Sequence, residues 1–317
     1  MRILTVGAGA VGGYFGGRLL QAGLDVTFLV RPERAKKLAH GGLVIKEPDG
    51  SLITLASPPT VLAQEIERPY DLILLSCKAY DLENAIQSFA PAVSSNTMIL
   101  PLLNGMRHLN TLESTFGAEK VLGGLCNITA TVEPDGTIHR MTQIHNITVG
   151  ERDGSNSPRV CALAAILKQA AFDSMLSENI MLAMWEKWLF LASLAASTCL
   201  MRAPIGDILA SPDGKEFILS IIEEIRSITV ASGYCASADR AHSMLLVPGS
   251  MLTASMYRDL LNGSRIESDQ IVGDLLARAQ LLNMDKTALP LLHTAYTHLK
   301  AYEHQRQRTL DSAPRAG

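Results

Sequence analysis

The pattern of apolar and polar positions changes its period about halfway along the chain. Up to about residue 178, short apolar and β-branched runs alternate with stretches of helical spacing. Residues 2–6, Arg-Ile-Leu-Thr-Val, predict a strand, and residues 26–30, Val-Thr-Phe-Leu-Val, a second one. A helix-compatible segment joins them as far as Gly23, and residues 33–40 read as another helix. Leu43-Val44-Ile45-Lys46 and Leu52-Ile53-Thr54-Leu55 flank the turn-forming Pro48-Asp49-Gly50, so a hairpin is expected there. Leu72-Ile73-Leu74-Leu75 is a continuous apolar run of the kind buried on both faces of a parallel sheet, and residues 97–103 resemble it. A helix running to about Ala90 separates these two, and a further helix precedes a strand at residues 120–123. Two runs around Glu133-Pro134-Asp135-Gly136 signal a second hairpin; residues 159–170 predict a helix and 172–177 a last strand.

From about Asn179 the strand-like runs largely disappear. Helices are expected at about 179–201, 215–232, 237–246, 251–261, 267–283 and 286–302. Asp285 is placed to cap the last, and Pro290 inside it calls for a kink or a later start. The mostly polar tail from Glu303 is expected to fray. This pattern is an α/β chain: a doubly wound parallel sheet in residues 1–178, then an all-helical domain in residues 179–317. No Gly- or Ser-rich linker divides them, so the halves are expected to pack closely and leave a substrate cleft.

Length and composition agree with two domains: 317 residues, 47% hydrophobic, 19% charged. The net charge of −3 offers no electrostatic footprint for nucleic acid or an anionic membrane. The five cysteines (Cys77, Cys126, Cys161, Cys199, Cys235) are scattered and form no C-x-x-C pair. They fit reduced, mostly buried thiols in a cytoplasm better than a disulfide framework or a zinc site. The N-terminal apolar run is expected to be a strand rather than the core of a signal peptide. Trp188 to Met201 is free of charge over only 14 positions, short of the about 20 that cross a bilayer, so a buried core helix is expected.

The chemistry begins at Gly7-Ala8-Gly9-Ala10-Val11-Gly12, between the first strand and the first helix. Gly7 permits a tight turn, Gly9 a close approach of backbone to a pyrophosphate, and Gly12 close packing of helix on strand. The free N–H groups and dipole of the helix then favour phosphate, the dinucleotide arrangement of a Rossmann domain. Arg31 stands at the end of the second strand, where an acidic residue would bind a ribose 2′-hydroxyl and an Arg accommodates a 2′-phosphate. With Arg34 close behind, this favours NADP(H); the alternative is that Glu33 serves the ribose. Lys78 and Asn104 lie at the carboxyl ends of strands, where such sheets bind ligands, although loop residues of no special role also occur there.

In the helical half, Lys187 precedes a run that is almost all apolar. Partial desolvation there would lower a lysine's pKa toward a range useful for proton transfer; an ordinary surface lysine is the alternative. Ser255, and Glu267 twelve residues later, form a second candidate group. A carboxylate that begins a helix is also commonly just a partner of the helix dipole.

Taken together, the glycine turn, Arg31, Cys77-Lys78-Ala79, Asn104-Gly105-Met106, Trp185-Glu186-Lys187, Ser255-Met256 with Asp259, and Ile266-Glu267 resemble the ketopantoate reductase (2-dehydropantoate 2-reductase) family over essentially the whole chain. The resemblance implies a Rossmann domain followed by a helical domain, and reduction of a 2-oxo acid to a 2-hydroxy acid with NADPH. It implies Lys187 as general acid toward the forming alkoxide, with Glu267 near the reacting centre orienting it. Ser255 and Asn104 would place the substrate carboxylate and the nicotinamide end, while Gly7 to Gly12, Arg31 and Lys78 would serve the cofactor. One departure stands out. The family typically carries asparagines four and eight residues after the lysine, where this chain has Leu191 and Ala195. These share the lysine's helix face, and an apolar surface there cannot hydrogen-bond a substrate hydroxyl. Ser193, Ser197 and Thr198 are nearby but expected on other parts of the helix. Ketopantoate is therefore the default substrate, a more apolar 2-oxo or hydroxy acid the first alternative, and a non-catalytic NADP(H) sensor a remote one. A homodimer is possible, and no metal is expected.

Overall fold

A computed structural model describes residues 1–312. Its central strand is β1 (Arg2–Val6), whose apolar side chains are all buried. The chain continues through α1 (Ala10–Gln21), β2 (Asp25–Leu29), α2 (Pro32–Gly41), β3 (Leu43–Lys46), β4 (Leu52–Leu55) and β5 (Thr60–Val61). Then come β6 (Leu72–Leu75), α3 (Leu82–Phe89), β7 (Met98–Pro101) and α4 (Arg107–Phe116). The first sheet has the order β5-β2-β1-β6-β7, with every pairing parallel. Strands buried on both faces account for the uninterrupted apolar runs of β6 and β7. The two-residue edge strand β5 carries no periodicity that sequence could register.

The expected hairpin of β3 and β4 is present, with antiparallel pairing from Leu43↔Leu55 to Lys46↔Leu52. It does not extend the parallel sheet. A second, mixed sheet is built from β8 (Gly123–Val132), β9 (Ile138–Gly150), the hairpin and β10 (Asp173–Leu176), with α5 (Pro158–Leu167) before β10. The expected strand at 120–123 contributes only a parallel bridge between Val121 and Ile99 before β8 begins. The last strand, β10, pairs with β9 rather than with the first sheet. Alternation of strands and helices identifies the class of the first half, but a strand's sheet is chosen by long-range pairing that periodicity does not encode.

A buried charged cluster fastens α1 to the second sheet. Glu47 accepts from Arg18 of α1 and from Arg140 of β9, each nearly excluded from solvent. Beside them the Tyr14 hydroxyl bonds His145 Nδ1 at 2.6 Å. Two guanidinium groups on one carboxylate is the kind of pairing that a buried charge requires.

The chain forms two compact units: residues 1–103 with 108–181, and residues 104–107 with the chain from Leu182. The second contains α6 (Ile180–Met201, entered at Leu182), α7 (Ile205–Ala210), α8 (Gly214–Ala231), α9 (Asp239–Leu245), α10 (Ser255–Leu261), α11 (Asp274–Leu281) and α12 (Pro290–Ser312). The six-residue α7 is absent from the sequence reading. By length and composition α6 could cross a membrane, yet 72% of its apolar window is buried inside the protein, as in a core helix.

Four expectations are corrected here. Residues 267–283 are not one regular helix: a π-helical turn, Asp269–Gly273, precedes α11. Asp285 caps a separate 3₁₀ turn, accepting from Thr287 N at 2.9 Å, and Pro290 begins α12, which is the later start. The tail is helical from Glu303 to Ser312, and residues 313–317 lie outside the described part. Arg306 Nε donates to Gly263 O at 2.8 Å and the Tyr302 hydroxyl to Ser264 O at 2.7 Å, so tertiary bonds hold a segment whose polarity suggested fraying. The cysteines also differ from expectation, since only Cys126 and Cys199 are buried while Cys161 and Cys235 are exposed. Burial pushes the Cys199 thiol up to about 12.

Candidate active site

The glycine turn follows β1 directly. Gly7 has φ +89°, a conformation L side chains rarely adopt, and its N–H donates to Leu29 O at 3.0 Å. A Cβ on Gly12 would fall on Ser76 Oγ and on the carbonyl oxygen of Gly7, which is the close packing of helix on strand that the sequence called for. Gly9, by contrast, faces open space: a Cβ there meets nothing within 4 Å. It stands just before α1, which has no side-chain cap and no acidic residue in its first turn. The first backward bond of the helix is Gly13 N to Gly9 O at 2.8 Å, so the N–H groups of Ala10, Val11 and Gly12 have no carbonyl one turn back. Open space above bare N–H groups at a positive helix end fits a pyrophosphate.

Arg31 stands at the N-cap position of α2 without a side-chain cap bond and is 77% exposed, with Asp81 as a loose partner at 3.6 Å. Such an exposed ion pair is weak and leaves the guanidinium available to a phosphate. Arg34 is engaged differently. Its guanidinium donates to Ala8 O at 3.1 Å and Gly136 O at 3.2 Å, so it braces the glycine turn. Glu33 is exposed and pairs with Lys36. Lys78 is half-buried just past the end of β6, beside the short turn that carries Asp81.

The second group of candidates lies in the helical unit. Lys187 on α6 is 8% exposed, which answers the surface-lysine alternative. Aromatic packing surrounds its stretch of helix. Trp185 and Trp188 have ring centroids 4.9 Å apart, and the Arg278 guanidinium sits 5.4 and 5.6 Å from the two rings. Arg278 Nε donates to Asp274 at 3.1 Å, while burial still pushes the Asp274 carboxyl above its ordinary value.

The Trp188 indole N–H donates to Ile271 O at 3.0 Å, inside the π-helical turn. In that turn Asp274 N reaches back five residues to Asp269 O. Glu267, half-buried, lies two residues before it, and its carbonyl accepts from Ile271 N at 3.0 Å. Gln270, also in the turn, donates from Nε2 to Asn104 O at 2.7 Å. The π turn therefore touches the elements that carry Lys187, Glu267 and Asn104.

Ser255 is exposed at the first position of α10, and Ala254 N before it reaches Thr198 Oγ1 on α6 at 3.4 Å. This corrects the reading of Thr198. Eleven residues after Lys187 are three helical turns, within roughly 20° of the lysine's direction, so Thr198 shares its face. The spacing could have revealed this. Of the departures from the family, Ala195 is 3% exposed and Leu191 half-buried. Sequence gave no hint of Gln270 or of the Trp188 bond, because a π turn shifts the phase on which helical spacing depends.

Comparison with known proteins places this geometry in context. Residues 3–154 match the family model of ketopantoate reductase PanE/ApbA, and residues 179–303 that of its C-terminal part. The chain is 35% identical to the uncharacterized oxidoreductase YkpB of Bacillus subtilis (strain 168), over 96% of this chain and 100% of that one. It is 26% identical to 2-dehydropantoate 2-reductase of Halobacterium salinarum, over 93% and 96% of the two chains. The crystal structure of 2-dehydropantoate 2-reductase from Geobacter metallireducens superposes with a TM-score of 0.86 at 27% identity, covering 95% of this chain and 99% of that one. The chain belongs to the ketopantoate reductase family and is an oxidoreductase that uses a nicotinamide cofactor.

Proposed function

We propose that this protein reduces 2-dehydropantoate to pantoate with NADPH. The observation that carries the reading is the burial of Lys187 on a helix bonded, through the next residue, to the turn that follows Glu267. Gly7 to Gly12 would hold the pyrophosphate of NADPH, which would supply the hydride when bound. Arg31, exposed and loosely paired, takes the 2′-phosphate, and Lys78 serves the same cofactor. Lys187 donates the proton to the alkoxide oxygen that forms at the former carbonyl, acting as general acid. Glu267 orients the ammonium group and leaves it one productive direction. Asn104 and Ser255 hold the substrate carboxylate, with Thr198 fixing the backbone just before Ser255.

A second reading, reduction of a more apolar 2-oxo acid, is favoured by Leu191 and Ala195. Neither can accept from or donate to a substrate hydroxyl, so a pocket lined by them loses the polar discrimination that asparagines would provide. NADPH oxidation followed with ketopantoate and with a panel of branched and aromatic 2-oxo acids separates the two. The highest kcat/KM with ketopantoate supports the first reading, and a higher value with an apolar acid replaces it with the second. Repeating the assay with NADH tests the choice of cofactor.

A further inference from the structure

We propose that Gln270 is a positioning residue for the oxo-acid site, holding the Asn104-Gly105 peptide in place for substrate. The inference rests on the 2-oxo acid reductase reading and concerns a residue that never meets the substrate itself.

Gln270 is 5% exposed, and its amide donates to the carbonyl of Asn104 at 2.7 Å. The grip is double. Gly105 has φ +77°, and a Cβ on it would stand 2.7 Å from Gln270 O, 3.1 Å from Nε2 and 3.3 Å from Cγ. Backbone and side chain of Gln270 thus both press on the same peptide, and only glycine can occupy position 105 at this approach. A buried amide whose acceptor is a loop carbonyl limits that peptide's rotation, because losing the bond strands both groups without water.

The turn that carries Gln270 is itself held from several sides. Ser268 donates to Glu303 of α12, and the Tyr296 hydroxyl to Asp269 at 2.7 Å. Lys300 bonds Asp269 at 3.1 Å, and Trp188 bonds Ile271. Gly273 packs on the Tyr296 ring, where a Cβ would come within 3.0 Å. The widened turn presents Gln270 to the Asn104 loop three residues after Glu267, so the loop and the carboxylate share one support. Movement of Gln270 would displace Asn104, whose carbonyl it holds.

Steady-state kinetics of Gln270→Leu and Gln270→Glu, with NADPH binding measured separately, test this. The Leu variant removes the donor at similar volume, and the Glu variant sets a carboxylate against the Asn104 carbonyl. The expected result is a KM for the 2-oxo acid raised about 10-fold by Leu and more by Glu, with NADPH affinity within about twofold of wild type. A merely structural role would instead lower the active fraction, reducing apparent kcat with KM unchanged, and that outcome overturns the proposal. So does wild-type kcat/KM in both variants. Gln270→Asn, which keeps the amide but shortens its reach, provides the mildest substitution should the other two fail to fold; an unchanged KM there, with reduced soluble yield in the others, also counts against it. A wild-type protein that turns over no 2-oxo acid is a separate failure, that of the reductase reading, and removes the ground for both.

Discussion

The glycine turn and the helical-unit site are built on opposite plans. The first is local: Gly7, Gly9 and Gly12 lie within six residues, and each has its task through the backbone it shares with its neighbours. The second is gathered from a loop at Asn104, a helix at Lys187, a helix start at Ser255 and a π-helical turn after Glu267. Substitutions in the first should act through covalent geometry and cofactor affinity. In the second they should act through turnover and substrate KM.

The largest effect should come from Lys187→Ala. Removing the proposed general acid is expected to lower kcat about 1,000-fold, with NADPH affinity by titration calorimetry nearly unchanged. Turnover at the wild-type rate would remove Lys187 from the mechanism. Gly12→Ala should do the reverse. Its methyl group collides with the Gly7 carbonyl, which is backbone and cannot swing aside, at a cost of about 1–3 kcal/mol. NADPH affinity should fall about 10- to 100-fold, and undiminished affinity would show that α1 can shift freely.

Arg31→Ala sharpens the comparison within the cofactor site. Loss of the proposed guanidinium–phosphate contact should weaken NADPH about 10-fold and leave NADH alone. An equal loss for both cofactors would mean that Arg31 acts on the fold instead. The mildest test concerns Glu224 on α8, whose carboxylate accepts from Leu291 N at 3.0 Å and Leu292 N at 2.8 Å, capping α12 from another element. Burial raises its carboxyl above the ordinary 4.5 in the folded protein. The folded state then holds that proton more tightly than the unfolded one. This group's contribution to stability is full below pH 4.5 and declines as pH rises from there through the raised value. Glu224→Gln should flatten that part of the stability–pH curve measured by chemical denaturation, and an unchanged slope would assign it elsewhere.

The same contrast explains what the amino-acid sequence shows by itself. Strand, turn and helix around Gly7 are set by neighbours, so residues 2–30 were readable almost to their ends. In the helical half Lys187, Ser255 and Glu267 stand out as candidates from the residues, but their roles come only from the resemblance of the whole motif set to a family, since no spacing joins Asn104 to Glu267. Thr198 was misplaced although three helical turns connect it to Lys187. Gln270 had no sequence signal, because its value lies in a carbonyl 166 positions away. Sheet membership failed for the same reason: β10 has an ordinary strand pattern but pairs with β9, and nothing in its four residues says so.

The far end of α12 has a consequence for anyone recombining such chains. Likeness to the family's C-terminal model ends at residue 303, between Tyr302 and Arg306, which hold adjacent carbonyls of the loop leading to Glu267. A chimaera spliced at that border would inherit the carboxylate together with only one of its two clamps. The last turns of the helix therefore belong with the site as a unit of inheritance, and a graft should carry the chain through at least Arg306.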